Sequence, residues 1–199
     1  VPPALFHPLR SSLNTISMEY NDLVSVPEDA FSGLTKLRYL YCRHNDLESI
    51  PPGLLSSLSS LLRLDLDSNA LQSLANSTFV GLTSLTSLDL GSNSIPSLEP
   101  GTFSSLTALV SLHLNNNPLT AMPDTHGLVA LRTLYMDQTR VSSLSPNQFE
   151  TTPVLEVFRC AYCRFTSLPP SVFTGLPLYQ LDFAWSWLTS LDSGTFTNQ

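Results

Sequence analysis

The stretch LTSLDLGSNSIPSLEPGTFSSLTA, residues 85–108, contains the pattern from which the fold of this chain can be predicted. Leucine or isoleucine occupies positions 1, 4, 6, 11 and 14 of this 24-residue unit, with Asn93 at position 9 and Phe103 at position 19. The unit recurs along the chain, and its first position falls at Leu13, Leu37, Leu61, Leu85, Leu109, Leu131, Leu155 and Leu178. A fixed period of roughly 20 to 50 residues is typical of a solenoid, so each unit should form one coil of a stacked array.

Each unit predicts one short strand and one polar contact between coils. Positions 4 and 6 are apolar and alternate with variable positions 3, 5 and 7, which predicts a β-strand with one buried face. An amide side chain both donates and accepts, so asparagines at position 9 can stack as a ladder that satisfies backbone groups of successive coils. The ladder positions hold Asn21, Asn45, Asn69, Asn93 and Asn117, and then Thr139, Cys163 and Ser186. These later side chains are weaker partners, so we expect the second half to be less regular.

The repeat can be written LxxLxLxxNxLxxLxxxxFxxLxx, and residues 13–36, LNTISMEYNDLVSVPEDAFSGLTK, match it as well. This pattern resembles the leucine-rich repeat family in its typical 24-residue class. The resemblance implies an α/β solenoid, a curved arc with a concave parallel β-sheet and a mostly irregular or short-helical convex side. It implies a single domain over 1–199 that belongs to a longer chain. This domain would contain a partial repeat at 1–12, seven repeats at 13–177 and an incomplete last repeat at 178–199. The family's usual activity is binding, without catalysis.

Composition and charge limit the classes of function. With 42% hydrophobic and 13% charged residues, the 199-residue chain has the composition of a packed domain. Its net charge of -7 argues against a nucleic-acid partner, which requires a concentrated basic surface. No apolar run approaches the roughly 20 residues that cross a bilayer, so we expect no membrane insertion of this segment. Catalytic motifs such as GxSxG, a P-loop or HExxH are missing from the sequence, and we expect neither an enzyme nor a cofactor.

The variable strand positions carry the residue types that dominate binding hot spots. All Tyr and Trp residues, and seven of the nine basic residues, fall at positions 2, 3, 5, 7, 8 or 10. The alternative is that these amphipathic side chains only coat the sheet. We predict contacts of Arg164 with Trp187 and of Arg159 with Asp182. The predicted partner-binding residues are Tyr39, Tyr41, Arg43, His44, Tyr135, Arg140, Arg159, Tyr162, Arg164, Asp182, Trp185 and Trp187.

A group of acidic residues on consecutive strands could suggest a metal site. Asp65, Asp89 and His113 share position 5 on consecutive strands, with Asp67 nearby, and carboxylates can hold a cation such as calcium. A shallow sheet supplies no enclosing loop, so we favour a solvated acidic surface and predict no metal site and no catalytic residue there.

The three cysteines are predicted to be buried free thiols. Cys42 and Cys160 occupy core position 6, and Cys163 occupies the ladder position. The pair in CAYC has the spacing of a redox or zinc half-site, but further ligands at matched spacing are missing from the sequence. We therefore expect small buried hydrophobes and no disulfide.

The sequon Asn76-Ser77-Thr78 lies outside the strand positions and predicts a glycosylated surface turn at Asn76. Since the typical repeat class is mainly extracellular, we predict an extracellular or cell-surface location and a protein or glycoprotein ligand, as in a receptor ectodomain or a secreted protein. The cysteine-rich caps found in secreted members of the family are missing from this segment. The alternative is thus a structural or adhesive protein that self-associates through the open ends of its solenoid.

Overall fold

The computed structural model describes residues 6–196, which form a solenoid with one parallel sheet of eight strands in sequence order. Within that range the only helix is a 3-10 turn at His7–Leu9 before the first strand, and the return segments are turns. Each strand has three residues: β1 (Thr15–Ser17), β2 (Tyr39–Tyr41), β3 (Arg63–Asp65), β4 (Ser87–Asp89), β5 (Ser111–His113), β6 (Thr133–Tyr135), β7 (Val157–Arg159) and β8 (Gln180–Asp182).

The strand register reproduces the sequence period, including its short units. Leu64 pairs with Leu88, and Leu88 with Leu112, each a full 24-residue repeat further along. Leu112 pairs with Leu134 and Phe158 with Leu181, which places the shorter repeats between β5 and β6 and between β7 and β8. The strands keep one length through β8, so the expected loss of regularity in the second half does not extend to the sheet.

The core is one continuous column of side chains between the sheet and the return segments. The central residue of each strand from β1 to β7 is buried. Phenylalanines at position 19 stack between neighbouring coils, with ring centroids 5.8 Å apart for Phe79 and Phe103 and 5.7 Å for Phe149 and Phe173. Each coil therefore buries its apolar residues against the next coil, which explains why the period determines the fold.

The asparagine ladder predicted from position 9 is present. Asn93 Nδ2 donates to the carbonyl oxygen of Leu66 in the preceding coil at 3.0 Å, and its Oδ1 accepts from the N–H of Leu71 at 3.0 Å. Asn45, Asn69 and Asn117 each make the equivalent pair of bonds to the coil that precedes their own. Each amide thus joins two coils through backbone groups that are otherwise remote from water.

The expectation of three free thiols is wrong, because Cys160 and Cys163 form a disulfide with a Cα–Cα distance of 5.5 Å. A turn closed by a bond from the Cys163 N–H to the Cys160 carbonyl brings positions 6 and 9 together. Position 9 reaches position 6 in other coils too, since Asn45 Nδ2 donates to the Cys42 carbonyl. A cysteine pair at these positions is therefore placed to bond, and in this coil the disulfide replaces the ladder amide. Cys42 remains free and buried.

The ends of the predicted domain are described only in part. The first five residues and the last three lie outside the described range, so the outer boundaries predicted for the partial repeats lie there too. Phe196, in the last described coil, is 43% exposed, whereas Phe173 one coil earlier is fully buried. In residues 6–196, no helix has the length and apolar character needed to cross a membrane.

Candidate functional site

The sheet places all of the predicted partner-binding side chains on one surface. Positions 3 and 5 of each strand flank the buried central residue, and positions 7, 8 and 10 follow where the strand turns. None of the residues predicted to bind a partner is buried. Their contacts divide the surface into N-terminal, central and C-terminal parts.

At the N-terminal end lie four of the predicted residues, Tyr39, Tyr41, Arg43 and His44, which we call the N-terminal patch, and their contacts separate them into two groups. Arg43 lies over the ring of Tyr20 at 5.4 Å and pairs with Glu19 at 2.6 Å, while His44 stacks on Tyr20 at 4.5 Å. Tyr41 instead stacks with Tyr39 and lies under the guanidinium of Arg63, 5.7 Å from its ring centroid.

In the central part, a column of carboxylates lies beside one histidine. Asp65 pairs with Asp89 in the sheet register, and Asp89 with His113. Burial raises the pKa of Asp65 above its usual value, although the N–H of Asp67 hydrogen-bonds to it and partly offsets this effect. A Cβ at Gly91 would lie 2.7 Å from an Asp67 oxygen, so glycine leaves room for the polar side chains around it.

The pKa of Asp89, which pairs with His113, shifts in the direction opposite to that of Asp65. His113 Nδ1 donates to Asp89 Oδ2 at 3.1 Å, and its Nε2 lies 3.0 Å from the Ser111 hydroxyl. Burial alone would raise the pKa of Asp89, but hydrogen bonds from His113 and from the Gly91 N–H, with the charge of His113, lower it below its usual value. Across residues 6–196, no three His, Cys, Asp or Glu side chains are placed to hold a metal ion.

The C-terminal part contains a network that we call the arginine group: Tyr135, Asp137, Arg159 and Asp182. The Arg159 guanidinium lies 3.1 Å from Asp137 Oδ2 and 3.5 Å from Asp182 Oδ2. It also lies over the ring of Tyr135 at 5.2 Å. The predicted contact between Arg159 and Asp182 is confirmed. Two carboxylates and one aromatic ring therefore hold this arginine in place.

Beside it lies a second set, the tryptophan group: Tyr162, Arg164, Trp185 and Trp187. Tyr162 and Trp185 stack with their centroids 5.9 Å apart. Arg164 lies 5.7 Å from the Trp187 ring centroid, which confirms the predicted cation–π contact. Trp185 is 75% exposed and Trp187 61% exposed, so most of the area of both rings faces solvent.

The backbone under this surface repeats one uncommon conformation. All eight residues at position 8 have a left-handed φ between +50° and +59°: Tyr20, His44, Ser68, Ser92, Asn116, Gln138, Tyr162 and Trp185. This region is unfavourable for side chains other than Gly, Asn and Asp, and bulky residues there cost about 1 to 3 kcal/mol. Four of the eight coils nevertheless carry an aromatic side chain at this position.

Several residues of the surface were not among the predicted binding residues. Tyr20 and Arg63 complete the two N-terminal groups, and Asp137 completes the arginine group. All three occupy variable positions one coil away from a predicted residue. The repeat register therefore contained the signal needed to find them.

The comparisons with known proteins agree with this geometry. The leucine rich repeat family model matches residues 11–71 and 59–119, which together cover more than half of the chain. The chain belongs to the leucine-rich repeat family, and its fold and family define a repeat module for protein interaction. The family is generally a non-catalytic scaffold.

One solved structure shares the solenoid over nearly the whole chain. A leucine-rich repeat protein of Leptospira interrogans is similar with a TM-score of 0.81 and 25% identity. The similarity covers 91% of this chain and 46% of that chain, so this chain spans about half the length of that protein. No curated protein matches the sequence.

Proposed function

We propose that this chain is a non-catalytic recognition module that binds a protein or glycan-bearing partner through its concave sheet, with Trp185 and Trp187 as the anchor. The observation that carries this proposal is the exposure of Trp185 in the left-handed conformation. A bulky side chain makes the left-handed backbone of Trp185 energetically costly, and most of the area of this side chain faces water.

Burial within the chain does not compensate for that cost. An asparagine tolerates the left-handed region better, and Asn116 occupies the same position three coils earlier. The stack on Tyr162 contributes roughly 0.5 to 1.5 kcal/mol at most, and both rings remain exposed. A partner that covers the tryptophans would gain much more, because large aromatic area in a desolvated contact is typical of hot spots.

Two features support an extracellular or cell-surface location, in a receptor ectodomain or a secreted protein. The disulfide between Cys160 and Cys163 is a bond that persists mainly in oxidising compartments. Asn76 of the sequon is exposed on a turn between β3 and β4, where a glycan would not obstruct the concave surface. Both features are compatible with passage through the secretory route.

A second candidate is a structural or adhesive protein that assembles end to end. The last described coil favours it, because Leu191 is 57% exposed and Phe196 43% exposed. Assembly through these side chains would bury apolar area and extend the solenoid, a contact that propagates along one axis. Visible filaments of the purified chain, lost in a Leu191→Asp variant, would favour this candidate over the recognition module.

Site-specific photo-crosslinking tests the recognition module. A benzoyl-phenylalanine in place of Trp187 would report molecules at the tryptophan group, and the same residue in place of Thr83, exposed on a return segment, is the matched control. With extracellular fractions of the natural source, we expect a discrete adduct from the Trp187 position and none from Thr83. Equal labelling at both positions, or no labelling at either, would contradict the proposal.

A further inference from the structure

One row of side chains runs along the edge of the sheet, directly after the ladder position, and we call it the edge row. It is held in register by backbone bonds between coils, such as the Ser94 N–H to the Leu71 carbonyl at 2.9 Å and the Arg164 N–H to the Val141 carbonyl at 2.8 Å. From the first coil to the eighth, the row consists of Asp22, Asp46, Ala70, Ser94, Pro118, Arg140, Arg164 and Trp187.

The charges of the edge row are ordered from acidic to basic. Asp22 and Asp46 begin the row, three small residues occupy its middle, and Arg140 and Arg164 follow. All four charged side chains are exposed, and in the described part of the chain none of them forms an ion pair. This is unlike the concave surface, where Arg43 and Arg159 are held by carboxylates.

We propose that the edge row binds the edge row of a second copy of this chain, with a two-fold axis through Ser94. The axis reverses the second row, so the first coil faces the seventh and the second faces the sixth. Asp22 then meets Arg164 of the second copy, and Asp46 meets Arg140. Ala70 meets Pro118, and Ser94 meets itself, so small residues occupy the centre where the two edges come closest.

Spacing does not oppose this pairing, because both rows have the same repeat. Neighbouring strands lie about 4.8 Å apart, so the span from Asp22 to Arg164 is about 29 Å in either direction along the row. A two-fold contact is self-complementary, and every pair in it occurs twice. The edge rows thus contribute four ion pairs in one register.

The neighbouring row at position 8 fits the same axis. Tyr20 in the first coil would lie opposite Tyr162 of the second copy in its seventh coil, and both rings are more than half exposed. His44 would lie opposite Gln138, and Ser92 at the axis would meet itself. No two like charges face each other in this row. Two independent rows therefore agree on one centre.

Other registers do not give this agreement. If the axis moves by half a coil toward the C-terminus, Arg164 faces Asp46, while Asp22 faces Trp187 and Arg140 faces Ala70. If the axis moves by half a coil toward the N-terminus, Arg164 faces a position that precedes the first coil of the second copy, and Asp46 faces Pro118. Only the axis through Ser94 pairs all four charges. It leaves the strand residues on the concave sheet open, but it shares Tyr162 and Arg164 with the tryptophan group, so a second copy and the recognised partner would compete there.

Charge reversal in paired variants tests the contact and its register. Asp46→Arg and Arg140→Asp each place like charges together twice in a homodimer, and each should weaken self-association by roughly tenfold or more. An equimolar mixture of the two variants should recover it, because every contact in the mixed dimer is complementary. The control mixture of Asp22→Arg with Arg140→Asp should not recover, since these residues are not partners.

The measurement is sedimentation equilibrium of the whole chain from micromolar to millimolar concentration, at low salt and at high salt. We expect a wild-type dimer that dissociates as salt screens the exposed pairs. A wild-type chain that stays monomeric throughout would overturn the proposal. So would a dimer unaffected by either reversal, or equal recovery in the matched and the control mixtures. Circular dichroism of each variant should match wild type, because all four side chains are exposed.

Discussion

Replacing Asn93 with alanine tests how the coils are held together. The amide of Asn93 is almost fully buried and donates to the carbonyl oxygens of Leu66, Leu90 and Gly91 at 2.9 to 3.1 Å. Each of these oxygens has another donor, because ladder amides also bond to Leu66 and Leu90, and the Ser68 N–H bonds to Gly91. The carbonyls therefore remain partly satisfied in the variant.

The backbone N–H of Leu71 is the group that loses its partner, since its bond is to Asn93 Oδ1 at 3.0 Å. A buried donor left without an acceptor costs about 1 to 3 kcal/mol. With weakened bonds at three carbonyls, we expect Asn93→Ala to lower the free energy of unfolding by about 2 to 3 kcal/mol. Asn21 is the matched control, because it is exposed and, within residues 6–196, its side chain bonds only to carbonyls of its own coil. Asn21→Ala should cost under about 1 kcal/mol.

The assay is equilibrium unfolding in urea, followed by far-ultraviolet circular dichroism and by tryptophan fluorescence. The fluorescence reports the last coil, where both tryptophans lie, and the dichroism reports the whole sheet. Because neighbouring coils support each other, both signals should shift together in Asn93→Ala. Equal losses in the Asn93 and Asn21 variants would mean that the bonds of Asn93 to the preceding coil add no stability, and so would an Asn93 variant with wild-type stability.

Further predictions concern two carboxylates, the cysteines and Asn76. The folded-state pKa of Asp65 is raised above 3.8, so the stability it contributes is present at low pH and lost as pH rises through that pKa. Asp65→Asn should therefore raise the melting temperature at neutral pH and leave it unchanged at about pH 2. Asp89→Asn should have the opposite effect and lower the melting temperature at neutral pH, because the pKa of Asp89 is lowered in the folded state. Alkylation of the unfolded, unreduced chain should modify one thiol, Cys42, and alkylation after reduction should modify three; three without reduction would contradict the disulfide. In the native state Cys42 should resist alkylation, since burial raises its pKa to about 12. Protein from the natural source should lose mass at Asn76 on treatment with an N-glycosidase, and an unmodified Asn76 would argue against the secretory route.

The architecture could be predicted from the period because each apolar position must be buried in the same way in every coil. Leu88 meets equivalent leucines before and after it in the sheet, so a regular spacing leaves one way to bury all of them. The ladder was equally predictable, since a buried amide at Asn93 needs partners, and the backbone groups of its own coil and of the preceding coil supply them. For the same reason the contacts of Arg159 with Asp182 and of Arg164 with Trp187 could be predicted from position alone.

The disulfide and the left-handed turns were not predicted, because both depend on backbone geometry within a coil. The turn that joins Cys160 to Cys163 has no signal in the repeat pattern, which records which residues are buried and not how far apart they lie. The positive φ of Trp185 was not predicted from the sequence, because bulky side chains rarely adopt this conformation. The divided N-terminal patch was missed because Arg43 turns toward Tyr20 and Glu19 and not toward Tyr41.

The most direct test of the proposed function measures stability and affinity on the same variants. Trp187→Ala and Trp185→Asn should each weaken binding of the crosslinked partner by roughly thirtyfold, which corresponds to about 2 kcal/mol. Neither variant should melt at a lower temperature than wild type, because both rings are exposed and asparagine suits the backbone of Trp185. Ser92→Ala, in the central coils, should change neither quantity. Wild-type affinity in both tryptophan variants would contradict the account, and so would a loss of stability in place of affinity.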